Sequence, residues 1–193
     1  MKLKPALLVI FFLVVWVVLK NYKSWYSDFQ YLTKSPEGKT IDDKKQGEWK
    51  TYYLNGNLKT IETFKNDTLN GPSFSYNPDG TIRIRSTYRN GIQVDSLIMY
   101  HSNGTPNSAE WFDENGKSQG VFKMFHSNGN LSQIGKNKDG NLDDTCKTFY
   151  ENGAIKTVEF YKNKMKNGTW RYYNENGRLT KTEVYKNDSL LKK

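Results

Sequence analysis

The chain of 193 residues has one cysteine, Cys146, and two histidines. An intramolecular disulfide framework and a Cys-rich zinc site are therefore excluded. No Ser/His/Asp or Cys/His grouping occurs, so no catalytic residue, cofactor or metal is expected and the protein is read as a non-enzyme. Proline is scarce, five residues against fifteen glycines, and no run of like charges occurs. With 15% of residues aromatic, the composition is that of a chain with something to bury. The net charge of +9 is spread along the chain, which reads as a mildly basic solvated surface. Nucleic acid is not expected as a partner.

Long apolar runs are also missing, with one exception. Residues 6–19 (ALLVIFFLVVWVVL) are uninterrupted apolar, flanked by Lys2 and Lys4 before and Lys20 and Lys23 after. As a helix, fourteen residues cover about 21 Å, short of the roughly 30 Å hydrocarbon core. Length alone suits a signal peptide, but no small residues occupy the −3 and −1 positions of a cleavage site. Snorkelling lysines with Trp16, Tyr22 and Trp25 near the interface allow the segment to span. Residues 1–20 are thus expected to be an apolar N-terminal helix acting as signal anchor, the alternative being a cleaved signal peptide. Membrane contact is assigned to residues 6–19, with the remainder on the outer (periplasmic or extracellular) side, or secreted if cleavage occurs.

The rest of the chain repeats. Glycines fall at Gly56, Gly80, Gly104, Gly129, Gly153 and Gly177, spaced by 24, 24, 25, 24 and 24 residues. Asn or Asp precedes each. Four residues before each stands an aromatic: Tyr52, Tyr76, Tyr100, Phe125, Phe149 and Tyr173. Two after it come Leu58, Ile82, Pro106, Leu131, Ile155 and Leu179. Nine before it, Gly47, Gly71, Gly120 and Gly168 share a column with Asp95 and Asp144.

Each unit reads as a β-hairpin. Asn77-Pro78-Asp79-Gly80 suits a type I turn followed by a left-handed glycine. A three-residue loop of that kind sets the aromatic opposite the aliphatic in all six units, whereas a two-residue Asn-Gly loop would put them on opposite faces. Such pairs contribute about 0.2–1 kcal/mol each. The expected fold is all-β: an open meander of about twelve antiparallel strands from six 24-residue hairpin repeats over 47–193. Residues 21–46, with Pro36 and Gly38, read as a linker or N-terminal cap.

The unit G-x-W-x-x-Y-Y-x-N-G-x-L (Gly47 to Leu58) and its counterpart G-T-W-R-Y-Y-N-E-N-G-R-L (Gly168 to Leu179) resemble the bacterial variant of the MORN repeat. More narrowly, the pattern is similar to the YwqK-like antitoxin family. The resemblance implies an elongated sheet of hairpins with a protein-binding or membrane-associated role, and the antitoxin label implies neutralisation of a partner toxin.

Seven residues before the turn glycine stand Trp49, Ser73, Leu97, Phe122, Cys146 and Trp170, with Trp111, Phe160 and Val184 expected to share their face. Trp49, Trp111, Phe122 and Trp170 are the candidate partner-binding residues, and Cys146 a small apolar filler. The alternative is that sheet curvature or residues 21–46 cover both faces. Glu62, Glu110, Glu159 and Glu183 form a row, as do Lys50, Lys123, Lys147 and Arg171. Symmetric pairing would join Glu110 to Lys123 and Glu159 to Arg171 as surface ion pairs. His101 and His126 occupy equivalent turn-proximal positions about 9.6 Å apart by strand spacing, too far to share an ion. The Asn-x-Ser/Thr matches at Asn66, Asn103, Asn130, Asn167 and Asn187 read as turn chemistry. The function expected is a membrane-tethered module that binds another protein through one face of an elongated sheet. Alternatives are an antitoxin or immunity protein, a membrane-surface scaffold or lipid-headgroup binder, and a carbohydrate binder. Self-association through the open sheet edges is left open.

Overall fold

The computed structural model describes residues 31–192. They form one antiparallel sheet whose strands follow in chain order. Hairpin strands come in pairs: β1 (Glu37–Ile41) before β2 (Lys44–Tyr52), then β3 (Leu58–Lys65), β4 (Thr68–Tyr76), β5 (Ile82–Arg89), β6 (Ile92–Tyr100) and β7 (Pro106–Phe112). The second half comprises β8 (Gly120–Phe125), β9 (Leu131–Lys138), β10 (Asn141–Leu142), β11 (Asp144–Phe149), β12 (Ile155–Lys162), β13 (Met165–Lys166), β14 (Gly168–Tyr173), β15 (Leu179–Lys186) and β16 (Ser189–Lys192).

The count of about twelve strands is therefore corrected to sixteen, and no helix occurs among the described residues. Two of the extra strands are half-units at the ends. Glu37–Ile41, expected as linker or cap, pairs with β2, and Ser189–Lys192 pairs with β15. The other two, β10 and β13, are the starts of repeat strands that a bulge cuts off from β11 and β14. The expected N-terminal helix and signal anchor lie outside the described residues. Among the described ones, no helix is long and apolar enough to cross a membrane.

Turn chemistry sets the register. At each hairpin tip the glycine takes positive φ and its N–H donates back three residues, as from Gly80 to the Asn77 carbonyl at 2.9 Å. The six aromatic–aliphatic pairs appear as expected, from Tyr52 opposite Leu58 to Tyr173 opposite Leu179, each beside a register shift. The opposite edge is closed by two-residue turns with both residues at positive φ, among them Asn66-Asp67, Asn90-Gly91 and Asn163-Lys164. These are the type I′ turns whose twist matches that of the strands.

A third left-handed position explains the Gly/Asp column. Gly47, Gly71, Asp95, Gly120, Asp144 and Gly168 all have positive φ, between 59° and 138°. Each lies in a β-bulge where its strand carries two more residues than its partner, which bends the strand and raises the local twist. Glycine accepts that conformation freely and aspartate is among the side chains that tolerate it best.

No second layer covers the sheet among the described residues, yet Cys146 and Trp170 are enclosed, as are Ser86, Thr157 and Glu183. All five lie on one face by register. That face, here the inner face, hides itself because long side chains lie flat across neighbouring strands. The Trp49 indole lies on Gly38 and the Phe122 ring on Gly135, where an added Cβ would come within 2.5 and 2.6 Å of ring atoms.

Candidate functional site

The two indoles of the inner face do the same structural job. A bulge leaves a carbonyl of the preceding repeat able to take a further donor. Trp170 Nε1–H donates to the Phe160 carbonyl at 3.1 Å, and Trp49 Nε1–H donates to that of Lys39 at 3.2 Å. Around Trp170 stand Tyr161 and Tyr185, each with ring centroids 5.2 Å away, and the Lys166 ammonium lies 4.4 Å from its ring centre. Trp49 pairs edge-on with Phe64 at 6.4 Å, under the Lys45 ammonium at 4.6 Å. These are repeat-to-repeat stitches.

The glutamates belong to the same face. Glu183, 5% exposed, accepts from Tyr172 Oη–H at 2.7 Å and Tyr185 Oη–H at 3.0 Å, and pairs with Lys181 at 2.7 Å. The Lys181 ammonium foremost, then the hydroxyls, hold its carboxyl down at about 2. Burial first, then the Glu183 carboxylate, pushes the Tyr172 phenol well above its ordinary range, and Tyr161 is raised in the same way beside Glu159. Glu159 accepts from Thr157 and Tyr161, both at 2.9 Å. The expected ion pairs do not form: Lys123 stands opposite Ala109 and Arg171 opposite Val158. The one-residue offset places each base on the other face from its intended glutamate.

The tip edge of the sheet is laced between repeats. Tyr53 and Tyr150 hydroxyls donate to the Tyr76 and Tyr173 carbonyls at 2.8 Å. His101 and His126 occupy that same column, and each sets Nε2 3.0 Å from a carbonyl, of Phe125 and Phe149. The turn asparagines add a second rung, such as Asn103 to Ser127 O at 2.7 Å and Asn128 to Glu151 O at 3.0 Å. Among the described residues no cluster of three His, Cys, Asp or Glu could hold a metal. Cys146 is wholly enclosed, and burial raises its thiol pKa.

The outer face is different in kind. One continuous row crosses twelve strand positions: Lys50, Ile61, Phe74, Arg85, Ile98, Ala109, Lys123, Ile134, Lys147, Val158, Arg171, Thr182. Five of these are cations with apolar groups between them. From Lys50 to Arg171 is about 48 Å at the usual strand spacing. Lys136 lies on the same face, and the carboxylate of Glu48 is taken by Lys50 at 2.9 Å. Exposed apolar side chains accompany them: Trp111 at 44%, Val121 at 44% and Phe160 at 38%.

The four expected partner-binding residues are thus divided. Trp49, Phe122 and Trp170 are on the inner face, with Trp170 4% exposed. Trp111 is on the outer face, opposite Ser96. Phe160 and Val184 are there too, because seven after the glycine pairs with eight before it, not seven. The six aromatics Tyr52, Tyr76, Tyr100, Phe125, Phe149 and Tyr173 are each half-buried. Arg85 is the cation the sequence left out of the row. Its place was available from the loop length, which fixes residue 85 opposite residue 74 in the second hairpin.

The chain matches the MORN repeat variant at residues 45–66, 69–90, 118–136, 145–163 and 166–187, together more than half its length. The chain belongs to the MORN repeat variant family. No curated protein matches it. The MORN-variant matches skip 91–117, where Asp95 replaces the bulge glycine and Pro106 the usual aliphatic. The hairpin of β6 and β7 nevertheless forms there with Tyr100 opposite Pro106, so the array holds six units. The Asp113-Glu114-Asn115-Gly116 turn after it has the tip geometry on the opposite edge, with Gly116 N donating to Asp113 O at 3.0 Å. It accounts for the single 25-residue spacing.

Proposed function

We propose that this MORN-variant array is a membrane-tethered module that binds an acidic protein through its outer face. The sorting of charge carries the reading. The outer face holds Lys50, Arg85, Lys123, Lys136, Lys147 and Arg171 against two carboxylates at its first end, Glu37 opposite Lys50 and Glu48 paired with it, whereas all four row glutamates are inward. Cations along a straight row with exposed Trp111 and Phe160 between them supply steering charge and apolar contact area together. MORN repeats often take part in protein or membrane binding, which agrees with this use. The tether is the apolar segment 6–19, and the array stands on the outer side of the membrane.

The test places a photo-crosslinking residue at Trp111 or at Thr148, on the outer and inner faces respectively, of the full chain in its own cells. Adducts to a protein at Trp111 alone, lost on reversing Arg85, Lys123, Lys147 and Arg171 to Glu, support the reading. Equal adducts from Thr148 contradict it. The narrower antitoxin form requires that the captured protein be toxic when produced without this chain. A lipid-surface role predicts instead salt-sensitive binding of the full chain to phosphatidylglycerol vesicles, reduced by the same reversal.

A further inference from the structure

Between the third and fourth repeats the inner face is less filled than around Trp170. A hollow of about 260 Å³ opens there, walled by Met99, Met124, Phe122 and Leu142, with Glu110 and Asn137 at its lining. Its origin is legible in the residue columns. Ser108 lies between Met99 and Met124 in one cross-strand row where the second and fifth units have Ile84 and Thr157, and Asn137 replaces the Phe or Tyr of every other unit. The two thioethers remain 38% and 41% exposed.

Two charged residues line the hollow, Glu110 and Lys123; the register gives Lys123 to the outer face, and Glu110, on the inner face, is held in place. Oε1 accepts from Ser118 Oγ–H at 2.5 Å and from Asn137 Nδ2–H at 3.1 Å, and Asn137 also donates to Ser118 at 2.8 Å. Oε2 makes no hydrogen bond to a described residue, and no Lys or Arg among them pairs with this carboxylate. Glu183, its counterpart in the sixth unit, has both a lysine and two tyrosine hydroxyls.

We propose that this hollow is a binding site for an alkylammonium group, supplied by a lysine side chain of a partner polypeptide. Flexible thioethers and the Phe122 ring accept an aliphatic stem of variable course. The single open carboxylate oxygen accepts one N–H of the compact ammonium head. A guanidinium fork seeks two parallel acceptors, and Oε1 is already occupied, so lysine is preferred to arginine. The site is separate from the outer face, and its test does not depend on which protein that face captures.

The probes are acetylated pentapeptides Gly-Ala-Xaa-Ala-Gly-amide with Xaa lysine, arginine or norleucine, and free n-butylammonium. Each is titrated into the full chain in neutral detergent, reading the methyl carbons of Met99 and Met124. Saturable shifts of both methyls by the lysine peptide, at least tenfold tighter than by the other two peptides, support the site. Glu110→Gln keeps the acceptor for Ser118 and Asn137 and should bring lysine affinity down to that of norleucine. Ser108→Ile, which fills the row as Ile84 does, should abolish the shifts. Weaker shifts of the same methyls by butylammonium also support the site; no shift with the lysine peptide, or arginine or norleucine binding as tightly, would overturn the proposal.

Discussion

Replacing Trp170 by Ser tests whether the inner face is the core or a docking surface. The indole is 4% exposed, donates to Phe160 O at 3.1 Å, and is packed by Tyr161 and Tyr185. Emptying such a position costs about 3–5 kcal/mol from lost transfer energy and residual cavity. The hydrogen bond contributes about 0.5–1.5 kcal/mol of this, and Trp170→Phe should lose mainly that part. Phe160 O keeps a donor in Asn167 N at 2.9 Å, so no orphaned carbonyl adds to the cost. Trp111→Ser, at 44% exposure on the outer face, should change stability by less than about 0.5 kcal/mol. Units of a repeat array unfold semi-independently, so the assay is amide hydrogen exchange resolved by segment. Trp170→Ser should raise exchange in β12 to β15 by at least a hundredfold while β2 to β5 stay unchanged. Equal effects of the two substitutions, or an unaffected β14, would refute the assignment of Trp170 to the core.

Other expectations follow from the same geometry. Asp79 holds the turn-asparagine position of the second repeat, where its Oδ1 accepts from Thr81 and nothing is donated to the third repeat. Asp79→Asn should add the missing rung and raise stability by about 0.5–1.5 kcal/mol, read as a higher midpoint in urea. Gly47→Ala, at φ 68°, should cost about 1 kcal/mol or more, whereas Asp95→Gly, at φ 59°, should be neutral or stabilising in the same titration. Glu183 has its folded-state pKa lowered from 4.5 to about 2 by Lys181 and the two tyrosines. Its contribution is therefore complete above pH 4.5 and lost as pH falls toward 2. Hydrogen exchange in β14 and β15 should quicken over that window, and Glu183→Gln should flatten the dependence.

Hairpins and register were readable in the residues because both are local. A left-handed glycine after a type I turn fixes which residue faces which, and six repetitions of Tyr/Phe and Leu/Ile columns make the choice of loop unambiguous. The Gly/Asp column was visible too, but its meaning was not, since a bulge shows itself only when two strands are laid side by side. The one-residue register shift at each hairpin tip moved Trp111 and Phe160 away from Trp49 and Trp170. A single slip in pairing exchanges faces, and sequence spacing cannot count a residue that has no partner.

The residues alone therefore determined an all-β array of hairpins, its period, its tips, and the apolar run at residues 6–19. Strand number at the ends was underestimated because half-units such as Glu37–Ile41 and Ser189–Lys192 lack the turn glycine that announces a repeat. Which face is core, where the cations align, and that Glu110 sits in a hollow while Glu183 is enclosed were decided only in three dimensions. These properties depend on what neighbouring strands put beside each side chain, and burial and charge pairing are sums over such neighbours.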